Sequence, residues 1–266
     1  MPHPQLALIP KPDPAPLIQA ESLSHHYHSA LGQSTLALSD ISITVGEGEF
    51  VCLLGPSGCG KTTLLNMMAG FLTPTHGKLE VGGQQVRGPC PQRGVVFQDY
   101  SLFPWLTVAQ NVEFGLRMTG IKAAQRAAIV QRHLALVGLE NAARRYPFEL
   151  SGGMKQRVAI ARALATNPDV LLMDEPFAAL DAMTRSALQN QLIEIHEREA
   201  RTVVFVTHNI GEAIQLATRI IVLSAHPGRI VRDIPVHLPR PRRRTSSGFN
   251  ALYDQLTEAI GLETVD

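Results

Sequence analysis

The chain has 266 residues, a formal net charge of +1 and a hydrophobic content of 45%. That is ample for a core and leaves no broad basic footprint for nucleic acid. No apolar run approaches the roughly 20 residues of a membrane span, and no charged and apolar leader opens the chain, so neither a pore nor a secreted protein is expected and the cytoplasm is. Cys52, Cys59 and Cys90 are odd in number and lack metal-ligand spacing, which argues against a disulfide framework or a cysteine metal site.

Prolines at 2, 4, 10, 12, 14 and 16 make residues 1–16 a disordered tail by composition, with a folded domain expected over 17–236. Residues 41–45, 50–54 and 79–81 read as strands. Between the second and third of these lies Gly55-Pro56-Ser57-Gly58-Cys59-Gly60-Lys61-Thr62, running into the helical pattern Thr62-Thr63-Leu64-Leu65. Glycines at 55, 58 and 60 allow a tight turn that aims N–H groups inward, the helix N-terminus adds partial positive charge, and Lys61 supplies an ammonium for the β- and γ-phosphates. Thr62 offers a hydroxyl to Mg²⁺. The pattern predicts a nucleoside triphosphate site, and if Cys59 is open there, ATP should protect it from thiol reagents.

Residues 93–98 form a strand-like run ending at Gln98. From 99 to 165 the pattern turns helical, with Ala127, Val130, Leu134 and Val137 spaced to face a core. Leu150-Ser151-Gly152-Gly153-Met154 then feeds a second helix N-terminus of anion-binding kind. Val170-Leu171-Leu172-Met173-Asp174-Glu175 is a buried-strand pattern delivering two carboxylates at its C-terminal end. Leu188, Leu192 and Ile195 repeat at helical intervals, and 202–207 and 220–223 return to strands, so the fold class is α/β. Residues 237–266 read as a C-terminal tail: its Arg240-Pro241-Arg242-Arg243-Arg244 run is expected to be solvated, and Phe249, Leu252 and Leu256 suggest a short helix.

Together these motifs resemble the ATP-binding subunits of ABC transporters over residues 23–229; the signature of that family ends in Gln where this chain has Met154. The resemblance implies a P-loop ATPase cassette with a RecA-like α/β core, an antiparallel β subdomain and a helical subdomain inserted at about 99–165. Carried over residue by residue, it implies that Tyr27 stacks on adenine, that residues 55–63, including Thr63, bind the phosphates, and that Gln98 touches Mg²⁺ and water. Asp174 would hold Mg²⁺, Glu175 would polarise the attacking water, and His208 would contact the γ-phosphate. Ser151, Gly152, Gly153 and Asp181 would complete the nucleotide site of a second cassette, most simply a homodimer partner.

The other partners implied are two transmembrane permease subunits and, indirectly, an extracytoplasmic solute-binding protein, with the chain peripheral at the cytoplasmic face of the membrane. Residues 222–230, including Ser224-Ala225-His226-Pro227-Gly228, resemble the nitrate, sulfonate and taurine importer group. That favours uptake of an aliphatic sulfonate or taurine, with nitrate, cyanate or bicarbonate as runner-up and a non-transport ABC ATPase as the remaining class. Trp105, in the aromatic stretch 100–107, reads equally as a buried residue of the helical subdomain or as part of a groove for a membrane subunit.

Overall fold

The computed structural model describes residues 16–28 and 32–261. The expected proline-rich tail therefore lies, apart from Pro16, outside the described residues. In chain order, β1 (Ile18–His28) and β2 (Ser34–Val45) precede β3 (Phe50–Leu54), which leads through the glycine-rich turn into α1 (Lys61–Ala69). β4 (His76–Val81), β5 (Gln84–Gln85) and β6 (Arg93–Val96) follow, then α2 (Val108–Met118), α3 (Ala123–Leu136) and α4 (Gly152–Ala165). The last part alternates β7 (Val170–Asp174), α5 (Ala182–Glu199), β8 (Thr202–Thr207), α6 (Ile210–Leu216), β9 (Arg219–Leu223), β10 (Ile230–Pro235) and α7 (Ser247–Gly261).

The strands make two sheets: an antiparallel one in the order β2-β1-β4-β5 and a six-stranded one in the order β10-β9-β3-β8-β7-β6. In the larger sheet β9, β3, β8, β7 and β6 run parallel and β10 closes the edge antiparallel. Its inner strands β3, β7 and β8 are almost wholly apolar and buried because both faces are covered. Alternate residues go to opposite layers: Phe50, Cys52 and Leu54 join Leu171, Met173 and Phe205 on one face, while Val51 and Leu53 join Leu172, Val204 and Ile221 on the other. Each such fully buried side chain contributes about 1.5–3 kcal/mol, so the sheet is a stiff platform. The sequence strands at 41–45 and 79–81 prove to be the ends of β2 and β4 and belong to the antiparallel sheet.

α2, α3 and α4 enclose a third core built on Val112, Leu116, Val130, Leu134 and Val158. Thr107 and Gln110 form a reciprocal capping box that starts α2. α4 serves two cores: Ala159, Ile160 and Ala163 face the large sheet, while Val158, Ala161 and Ala165 face α2 and α3. Ala127, expected to face the core, is exposed on α3, since only Val130, His133 and Leu134 of that helix are buried. Trp105 is 70% exposed, which removes the buried reading.

The arginine-rich run is the other departure. Arg242 is buried and donates from Nη1 to the carbonyls of Ile214 and Ala217, both at 2.6 Å, and from Nε to Leu238 O at 3.1 Å. Arg240 donates to Leu216 O at 2.5 Å and pairs with Glu197 at 3.0 Å. These carbonyls close the C-terminal turn of α6, where backbone acceptors lack helical partners and a positive charge is favoured. α7 then lays Phe249, Leu252 and Leu256 onto the core that contains Ile214 and Leu216. Of its arginines, only Arg243 and Arg244 are exposed as expected of a solvated run.

Candidate functional site

Because β3, β8 and β7 are adjacent and parallel, their C-terminal ends bring the glycine-rich turn, His208 and the Asp174-Glu175 pair to one edge of the sheet. The turn needs its glycines for space as well as conformation. Gly60 has φ of 88°, and a β-carbon there would meet Leu38 Cδ2 at 2.5 Å; one on Gly55 would lie 2.6 Å from the Leu223 carbonyl oxygen. Lys61 is buried, and its Nζ donates to the carbonyls of Gly55 and Pro56, each at 2.8 Å. Its ammonium is thus folded back against the turn that an anion would enter.

Cys59 corrects an expectation. It has no exposed surface, it packs with Leu38 and Leu64 beneath the turn, and burial pushes its thiol pKa up despite the nearby Lys61. A thiol so placed is unreactive, and its part in the turn is to carry the backbone N–H and to fill space.

Thr62 Oγ1 donates to Asp174 Oδ1 at 3.0 Å, so a hydroxyl from α1 and a carboxylate from the end of β7 meet. Burial pushes the Asp174 carboxyl above its ordinary range, the Thr62 hydrogen bond opposes this, and the neighbouring charge of Glu175 adds to it. Glu175 adopts φ of 40°, a left-handed conformation unusual for a non-glycine residue and costly unless its surroundings hold it. They do: its N–H donates to Val206 O at 3.1 Å, and its Oε2 lies 2.9 Å from His208 Nδ1. An oxygen-only pair fits a hard cation such as Mg²⁺, which takes one or two carboxylates and completes its shell with water and phosphate oxygens.

Behind His208 lies a network that sequence reasoning missed. Thr207 Oγ1 donates to Glu212 Oε2 at 2.5 Å and accepts from Asn209 N at 3.0 Å, while Gln189 Nε2 donates to Glu212 Oε1 at 2.9 Å. Asn209 Oδ1 in turn accepts from Glu212 N and starts α6. The only sequence signal was an Asn-x-x-Glu spacing at a helix start, which reads as an ordinary cap.

Tyr27 stands at the end of β1 and is 46% exposed, with its hydroxyl 3.2 Å from Thr63 Oγ1 and its ring edge-on to His25. It shares a cavity of about 350 Å³ with Ala37, Ser57, Gly58, Gly60, Lys61, Thr62, Thr63, Glu175 and His226. The remaining expected residues are not on that wall. Gln98 is exposed two residues beyond β6. Ser151 caps α4 by accepting from Met154 N at 3.4 Å, and Asp181 caps α5 by accepting from Met183 and Thr184 N–H groups at 3.1 and 3.0 Å. Those bonds, the Thr184 N–H foremost, hold the Asp181 carboxyl below its ordinary range. A β-carbon on Gly153 would overlap Thr184 Cγ2, so the two caps are pressed together into one surface. Met154 turns away from that surface to pack on the helical core, on the same helix face as Val158, Ala161 and Ala165.

The geometry therefore divides into a phosphate-type cavity with an acid–imidazole pair, and a separate polar surface made by two helix N-termini. Comparison with known proteins agrees. A family model described as ABC transporter matches residues 38–178. Over 216 residues the chain is 51% identical to the nitrate import ATP-binding protein NrtD of Synechocystis sp., covering 80% of this chain and 81% of the relative. Over 218 residues it is 48% identical to the taurine import ATP-binding protein TauB of Escherichia coli, covering 82% and 85%. A dimeric post-hydrolysis structure of the ATP-binding cassette MJ0796 bound to ADP and Pi superposes with a TM-score of 0.74 at 32% identity, covering 84% of this chain and all of that one.

Proposed function

Since the chain belongs to the ABC transporter family and has the fold of its ATP-hydrolysing cassettes, we propose that it powers uptake of a small anion, with taurine or another aliphatic sulfonate first and nitrate, cyanate or bicarbonate second. The observation that carries this reading is that relatives about half identical over four fifths of the chain are named for taurine and for nitrate import. No described helix is long and apolar enough to cross a membrane, so the solute path belongs to two permease subunits. Against these the cassette sits at the cytoplasmic face, and a solute-binding protein acts through them. Exposed Trp105 lies 5.7 Å from the Phe103 ring, which packs on the Phe114 ring at 4.3 Å, and this aromatic patch supports a docking groove there.

In the reaction, Lys61 and the backbone N–H groups of residues 55–63, Pro56 excepted, bind the phosphates, and Tyr27 takes the adenine. Glu175, fixed by His208 and by its own backbone, orients a water for attack on the γ-phosphorus; the bond to the β–γ bridging oxygen breaks and ADP and phosphate leave. His208 bonds Glu175 through Nδ1 and keeps Nε2 for the γ-phosphate. Thr62 and Asp174, with Gln98, would hold Mg²⁺, which supplies charge neutralisation on the phosphate oxygens when bound. Ser151, Gly152, Gly153 and Asp181 serve the second cassette's nucleotide.

The test is labelled-solute uptake and growth of a strain lacking the chain, with taurine or a sulfonate as sole sulfur source and nitrate as sole nitrogen source. Loss on the sulfur source, restored by the wild-type chain and not by Glu175→Gln, is the expected result. A defect on nitrate alone would replace the first solute with the second, and no defect on either would overturn the importer reading.

A further inference from the structure

One side chain on the wall of the nucleotide cavity has no part in the mechanism above: His226, on the turn between β9 and β10. It is exposed, so the core does not require it, yet its backbone takes φ of 40°, where non-glycine residues carry strain. Its imidazole leans over the glycine-rich turn. Cε1 and Nε2 lie 3.4 and 3.6 Å from where a β-carbon on Gly58 would stand, so the ring lies within van der Waals reach of the turn at Gly58.

The turn that carries the ring is fastened on both sides. Ser224 Oγ donates to Pro227 O at 2.9 Å and accepts from Arg229 N at 2.8 Å, and Ser224 N donates to Arg229 O at 2.9 Å. Gly228 N donates to Ala37 O at 2.9 Å, and Ser39 N donates to Gly228 O at 3.0 Å, which tie the turn to β2. Against the phosphate turn there is no slack, because a β-carbon on Gly228 would overlap the Cys59 carbonyl oxygen. A rigid support, a strained and exposed residue, and a ring held over a phosphate cradle are what a ligand-contacting group requires.

The geometry points to His226 as a further nucleotide-binding residue, donating a hydrogen bond from its imidazole to the polyphosphate held by Gly58 and Lys61. This rests on the nucleotide site described above and adds a ligand from outside its motifs. An imidazole N–H is a suitable donor to a phosphate oxygen, and from this position it adds to grip without touching the attacking water.

Isothermal titration of the full-length protein with ADP and Mg²⁺ tests it, using wild type, His226→Ala, His226→Gln and Lys61→Ala, with thermal melting of each without nucleotide. His226→Ala is expected to raise Kd by about three- to tenfold, the net worth of one solvent-exposed hydrogen bond. Its nucleotide-free melting should stay unchanged, and His226→Gln, which keeps a donor, should recover most of the affinity. A Kd for His226→Ala within twofold of wild type while Lys61→Ala binds poorly would overturn the role of His226 and leave the site standing. Unchanged binding in both would remove the site reading as well. A fall in nucleotide-free melting with no recovery of affinity by His226→Gln would make the residue structural and also overturn the proposal.

Discussion

Glu212 is a carboxylate buried behind His208, and Thr207 and Gln189 donate to its two oxygens. Burial pushes its pKa above the ordinary range against the pull of those bonds. A carboxyl with a raised folded pKa adds stability that is fully present below its unfolded pKa and is lost as pH rises through the folded one. The melting temperature of wild type minus that of Glu212→Gln should therefore fall between pH 4 and pH 8; a difference that is flat or rises would refute the buried-charge account. Of the residues here, Lys61, Thr62, Asp174, Glu175 and His208 were legible in the sequence because their motif spacing encodes a strand, a turn and an acid pair. Thr207, Gln189 and Glu212 were not, because Gln189 reaches Glu212 only where α5 packs against α6, which local spacing does not record.

At the scale of elements, α6 shows how a short helix is held. It spans Ile210–Leu216, too short to be stable alone, and it is fixed by Asn209 at its start and by two guanidinium groups at its end. Burial, and then the neighbouring Arg240, lower the Arg242 pKa to about 10, which still leaves it charged at neutral pH. Arg242→Leu leaves buried carbonyls without donors and is expected to cost about 2 kcal/mol, a drop of several degrees in melting temperature. Arg243→Ala, at an exposed position, should change little, and equal effects of the two would return the run to a solvated tail. α4 holds a second tension: Gln156 is fully buried between the cores with neither amide atom paired. α3, α5 and α7 were readable from apolar spacing. α6 was not, and its buried end is completed by residues 24 to 28 positions away in sequence.

At the scale of the whole molecule, the cavity that holds Tyr27, Lys61 and Glu175 and the surface made by Ser151, Gly153 and Asp181 are separate. On the proposed reading a single chain carries two halves of different sites, and a second cassette facing it head to tail would complete both; the MJ0796 cassette that the chain is similar to is dimeric. Glu175→Gln should still bind ATP, remain dimeric with ATP by light scattering, and lose at least about a hundredfold in turnover. Near-normal hydrolysis would remove Glu175 from its role. By itself the sequence determined the family, the α/β class and the chemistry of the phosphate turn, since each depends on residue type at short, fixed spacing. Only the tertiary structure decided that Cys59 is sealed, that Trp105 is exposed, that Arg242 is an internal clamp and that His226 overlooks the phosphate turn. Exposure and pairing are set by what the rest of the chain packs against a residue, and for Cys59, Arg242 and His226 the deciding neighbours come from other elements.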